Sequence, residues 1–63
     1  MYNIEKYRKQ KQLSVEELAK QVGISREYMS LIENNRVDNI GTKILVKLAK
    51  VLGVSVNDIL FLN

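Results

Sequence analysis

An alanine, a glycine and a methionine at Ala19, Gly23 and Met29 constrain this chain more than any other feature of it. They occupy the fifth, ninth and fifteenth places of the run Val15 to Ile32. A residue as small as Ala19 lets two helices cross closely. Gly23 can adopt positive φ, which ends a helix and turns the chain sharply. Leu18 and Val22 would bury one face of the helix before the turn. Ile24 would point into the joint, and Met29 and Ile32 would bury the inner face of the helix after it. The spacing predicts two helices joined by a tight turn, over about residues 15–34.

Three more helices follow from the same reasoning. A first helix is predicted over about Ile4 to Lys11, with Asn3 as its cap and Ile4, Tyr7 and Leu13 turned inward. Ser14 opens the second: its hydroxyl can accept from the amide of Glu17, whose carboxylate can reach back to the Ser14 amide. Ser25 caps the third, predicted to run to about Asn34. Asn34 to Asn39 is a loop by composition. Ile44, Leu45, Leu48, Ala49 and Leu52 recur at helical spacing and predict a fourth helix over about Thr42 to Leu52, ended by Gly53. Ser55 and Asp58 predict a short fifth one, with Val56, Ile59 and Leu60 inward. The expected fold is all-α, a single domain over residues 1–63.

The composition removes several chemistries. There is no cysteine and no histidine, so disulfides, the usual zinc sites, a thiol nucleophile and an imidazole base are excluded. No apolar run approaches the roughly 20 residues of a membrane span, and no signal-peptide pattern opens the chain. A cytoplasmic protein with no membrane partner is expected. Ten Lys and Arg against seven Asp and Glu leave a formal charge of +3, which suits a polyanion.

From about Ile4 to Leu60 the chain resembles the phage repressor/Cro-type, lambda-repressor-like, helix-turn-helix family. Three stretches carry the likeness. Ser14 to Gly23 is similar to the family's second helix, Ile24 to Asn35 to its third, and Leu48 to Ser55 to its fourth helix turning into the fifth. The resemblance implies a compact five-helix domain that lays its third helix in the DNA major groove. It also implies that Arg8 and Glu33 pair between the first and third helices. Four positions depart from the family pattern. Val15 stands where the family often has a Gln that holds a phosphate. Gln12 and Asn35 stand where it often has Gly, and Ile40 where it often has Pro. Gln12 tolerates left-handed backbone worse than Asn does, so strain or a different end to the first helix is expected there.

Burying Met29 and Ile32 would turn Arg26, Glu27, Ser30 and Leu31 outward, and these are the candidate base-contacting residues. Arg26 matches the O6 and N7 acceptors of guanine. Glu27 can accept from cytosine N4 or simply favour the positive end of its helix. Ser30 can bond bases or phosphates. Leu31 can touch a thymine methyl, or is an ordinary exposed apolar residue. The candidate backbone contacts are Tyr28, Asn35, Arg36, Asn39, Thr42 and Lys43. Tyr28 can instead pack wholly into the core, and Arg36 and Lys43 can be solvated charge. The amide ends of the second and fourth helices are candidate anion sites. Lys6, Lys9 and Lys11 read as a solvated face. Phe61 and Leu62 have no place in so small a core and are candidate dimer-interface residues, unless Phe61 folds back on its own domain.

The expectation is a sequence-specific regulator of transcription that binds double-stranded DNA, a repressor acting as a homodimer on an inverted-repeat operator. Two alternatives stand beside it. One is a controller or antitoxin-like autoregulator; the other is a protein-interaction module on the same scaffold. No enzymatic activity, cofactor, metal or small-molecule ligand is expected, because no paired carboxylates, metal cluster or Gly-rich phosphate loop is present.

Overall fold

Gly23 has φ 89° and separates α2 (Val15–Val22) from α3 (Arg26–Glu33), the two helices that the glycine spacing predicts. Around this pair stand α1 (Glu5–Gln10), α4 (Thr42–Leu52) and α5 (Val56–Ile59) in a computed structural model that describes residues 2–60. The described residues are helices and connecting segments without a strand, so the fold is all-α. Phe61 and Leu62, expected at a dimer interface, lie outside the described residues.

The helices start and stop as their local chemistry requires. Ser14 and Ser55 each form a full capping box, with Glu17 and Asp58 respectively, and Ser25 caps α3 through the amide of Tyr28. The first helix differs from expectation. Its cap position is Ile4 and carries no side-chain bond, and its helical span is shorter by a residue at each end. Asn3 stands one residue before the cap position, and its backbone amide donates to the carbonyl of Ile59 at 2.8 Å.

The first four helices end alike. A residue with left-handed backbone closes each one: Gln12 (φ 59°), Gly23 (89°), Asn35 (59°) and Gly53 (70°). The amide of the following residue then bonds back over the helix end. Leu13 reaches Arg8 at 3.1 Å, Ile24 reaches Ala19 at 3.0 Å, Arg36 reaches Leu31 at 2.9 Å and Val54 reaches Ala49 at 3.0 Å. These are Schellman closures. Gln12 adopts the left-handed backbone in which strain is expected, and the Leu13 amide there reaches the carbonyl of Arg8, which also accepts from the Lys11 amide at 3.1 Å.

One core joins all five elements. Ile4, Leu18, Met29, Ile32, Leu48 and Ile59 are fully buried, and Ala19, Val22, Ala49 and Leu52 nearly so. Each large side chain among them contributes about 1.5–3 kcal/mol by leaving water. α2 packs on both α3 and α4, and α4 on α5. Tyr7, Leu13, Ile24, Ile44, Leu45 and Val56 are half-buried around this centre. Val15, at the family's phosphate-holding position, is half-buried there too and packs against the core.

Candidate nucleic-acid interface

α3 is held from below and open above. Met29 and Ile32 are fully buried on its inner side. At 100° per residue Glu27, Ser30 and Leu31 fall on the opposite face and Arg26 on its flank. Arg26, Glu27 and Leu31 are exposed, while Ser30 is half-buried and accepts a 3.4 Å bond from the Asn34 side-chain amide. Leu31 keeps 46% of its surface in solvent, and only it and Val46 are large hydrophobic residues so exposed among the described residues. Tyr28 is half-buried with its ring against the core, and its hydroxyl forms no hydrogen bond among the described residues.

The end of α3 is tied to the first helix by Arg8. Its guanidinium donates from Nε to Glu33 Oε2 at 2.8 Å and from Nη2 to Glu33 Oε1 at 3.3 Å. Nη1 donates to the carbonyl of Leu13 at 2.7 Å. The two side chains are only 11% and 8% exposed. One planar group therefore ties α1, the turn before α2 and the end of α3 together, with each of its three nitrogens donating once.

The loop from Asn34 to Gly41 connects α3 to α4. Arg36 and Asn39 on it are exposed, as are Thr42 and Lys43 where α4 begins. Asn35 is exposed as well, but its Oδ1 accepts from the backbone amide of Tyr2 at 3.1 Å, so only its side-chain amide remains for a ligand. Tyr2 itself has no counterpart in the sequence reasoning. Lys47 was also missed. It follows Lys43 by one helical turn and lines a shallow groove along α4 with Thr42, Lys43, Val46 and Lys50. That i, i+4 spacing of lysines was the available signal.

The two candidate anion sites separate. At α2 the amino end is already occupied: the Glu17 carboxylate accepts from the Ser14 amide at 2.7 Å, and Glu16 stands beside it. The backbone bond from Ser14, then the bond with its side chain, hold the Glu17 carboxyl below its ordinary value. A phosphate arriving there would meet negative charge. The amides of Val15 and Glu16 remain outside the capping box. α4 starts at Gly41 with no side-chain cap and no acid in its first turn. Its free amides and Lys43 point the same sign of charge at the loop.

The helix-turn-helix family model matches residues 4–59, nearly all of the chain and both helices of the motif. The chain belongs to the Cro/C1-type helix-turn-helix family. Among curated family members it is similar to the HTH-type transcriptional regulator SinR of Bacillus subtilis, with 42% identity over 57 residues. That match takes in 90% of this chain and 51% of SinR, so the chain spans about half the length of the curated relatives it matches. Among solved members, SinR in complex with DNA superposes with a TM-score of 0.84 at 42% identity, covering 90% of each chain. A hypothetical transcription factor NHTF from Neisseria superposes with a TM-score of 0.82 at 39% identity, covering 89% of this chain and 62% of that one.

Proposed function

We propose that this chain is a sequence-specific double-stranded DNA-binding domain of a transcriptional regulator, and that it acts as a repressor. The observation that carries the reading is the exposed amino-terminal face of α3. Arg26, Glu27 and Leu31 stand in solvent while Met29 and Ile32 of the same helix are fully buried and Arg8 fixes its far end. A helix presented in this way places its first residues against base edges in the major groove. Arg26 reads guanine, Leu31 meets a thymine methyl, and Glu27 and Ser30 add an acceptor and a small donor. Tyr28, Asn35, Arg36, Asn39, Thr42 and Lys43 hold the sugar–phosphate backbone on either side. The similarity to a regulator solved in complex with DNA supports the same assignment.

One such helix touches too few base pairs for strong discrimination, since a mismatch costs only about 1–3 kcal/mol. We therefore read the working form as a homodimer on an inverted repeat, with half-sites roughly 34 Å apart. The domain measures 26 × 21 × 19 Å, so two copies fit side by side at that spacing. Such a regulator works in the cytoplasm and sits on the nucleoid when bound.

Binding to mixed-sequence duplex across a salt series tests the class of function. Phosphate contacts predict a steep fall of affinity with salt. Affinity for DNA that is absent or insensitive to salt would favour the protein-interaction module instead. Selection of bound fragments from random DNA then gives the operator. An enriched sequence without two-fold symmetry would exclude the inverted-repeat reading.

A further inference from the structure

The loop from Val37 to Ile40 has almost nothing of its own to hold it. It lies between two helices and forms no internal backbone hydrogen bond among the described residues. Val37 and Ile40 rest on the core, while Asp38 and Asn39 are exposed. Two hydrogen bonds reach this stretch, and one side chain makes both. The Tyr2 hydroxyl donates to the carbonyl of Asp38 at 3.1 Å and accepts from the amide of Ile40 at 3.3 Å. A phenol can do this because its oxygen is donor and acceptor at once. The Tyr2 backbone amide adds a third tie, to Asn35 Oδ1 at 3.1 Å. The neighbouring amide of Asn3 anchors the same arm to Ile59 at 2.8 Å.

The clamped positions lie among the candidate backbone contacts, and one of them, Asn35, is itself such a candidate. Arg36 follows the tied Asn35, Asn39 lies between Asp38 and Ile40, and the uncapped start of α4 comes directly after Ile40. We propose that Tyr2 is a positioning residue of the DNA interface, holding residues 35–40 in the shape that presents Arg36, Asn39 and the amino end of α4 to phosphates. The proposal rests on the DNA-binding reading given above. Tyr2 touches no base and specifies no sequence. It acts by ordering the loop before DNA arrives, so that the cost of ordering does not fall on binding.

Tyr2→Phe keeps the ring and deletes the oxygen. The variant should bind mixed-sequence duplex roughly fivefold more weakly, the scale set by modest net hydrogen-bond energies, while preferring the same base pairs as the parent. In an Arg36→Ala background the effect of Tyr2→Phe should shrink, because the group it positions is gone. Unchanged affinity, or the same fold-loss in both backgrounds, would overturn the proposal and leave the DNA reading standing. A parent protein without salt-dependent DNA binding would overturn both. If Tyr2→Phe does not fold, amide hydrogen exchange of the parent decides. Protection of the Ile40 amide well above that of Asn39 supports the clamp, and equal exchange rules it out.

Discussion

Arg8 and Glu33, 25 residues apart in the chain, meet through two hydrogen bonds of 2.8 and 3.3 Å in a nearly buried pair. The pair joins the first helix to the end of the third, so it couples the scaffold to the helix proposed to meet DNA. Removing one partner leaves the other charge buried and alone, which costs about 3–5 kcal/mol. For a domain this small that approaches the whole of its stability. Arg8→Ala and Glu33→Ala should each lower the melting temperature sharply, with Arg8→Ala the worse because it also frees the Leu13 carbonyl. The double variant should lose clearly less than the sum of the two. Thermal unfolding of all four proteins measures this, and strict additivity would mean that the contact contributes nothing.

Gln12 and Asn35 share a φ of 59°, yet substitution by glycine should act differently on them. Left-handed backbone costs an ordinary L-residue about 1–2 kcal/mol, and the extra freedom of glycine in the unfolded chain returns part of that. Gln12→Gly should therefore stabilise the fold by about 0.5–1 kcal/mol. Asn35→Gly should not, since Asn tolerates this backbone better and its Oδ1 receives the Tyr2 amide. Denaturant unfolding of the two variants checks the contrast. A stabilisation of equal size in both would show that the Tyr2 tie carries no weight.

The contrast between these residues also shows what a one-dimensional reading can reach. The caps at Ser14, Ser25 and Ser55, the stops at Gly23 and Gly53 and the inward rows of α2 to α4 are local patterns. Each depends on residues within about one helical turn of one another, where spacing alone carries the information. The outward placement of Arg26, Glu27 and Leu31 follows from the same periodicity once Met29 and Ile32 are put inside. Tyr2 is different. Its hydroxyl bonds to backbone groups of Asp38 and Ile40, 36 and 38 positions away. A main-chain carbonyl or amide leaves no mark in the identity of a residue, so no motif could announce the contact. Asn3 was misread for a related reason. Asn favours helix caps, but Asn3 precedes the cap position, in register with a backbone bond across the fold to Ile59.

The Glu17 carboxylate gives stability a dependence on acid. The Ser14 backbone amide, and then the bond with the Ser14 side chain, lower the Glu17 carboxyl from its ordinary 4.5 in the folded state. The unfolded chain then binds a proton at a pH where the folded chain does not. The contribution of Glu17 is present above 4.5 and fades as the pH falls through the lower folded value. Glu17→Gln should therefore destabilise the domain near neutrality, and the gap to the parent should narrow in acid. Melting curves over a pH series read this directly. A gap that stays constant into acid would assign the effect to packing rather than to the charged cap.

Arg26 and Arg36 are both exposed arginines near the outward face of α3, and they are expected to do different work on DNA. Arg26 opens the helix, where a guanidinium reaches base edges and can bond O6 and N7 of guanine together. Arg36 lies beyond the helix end on the loop that Tyr2 holds, where a phosphate contact is expected rather than a base contact. Arg26→Ala should weaken the preferred site by about 1–3 kcal/mol and relax the choice at one base pair, with little change on mixed-sequence DNA. Arg36→Ala should weaken all sequences alike and reduce the salt slope by about one unit. Affinities of both variants for the selected operator and for mixed duplex, each over a salt series, separate the two roles. If Arg26→Ala lost equally on both DNAs, Arg26 would be a phosphate contact, and the reading of sequence would have to rest on Glu27, Ser30 and Leu31.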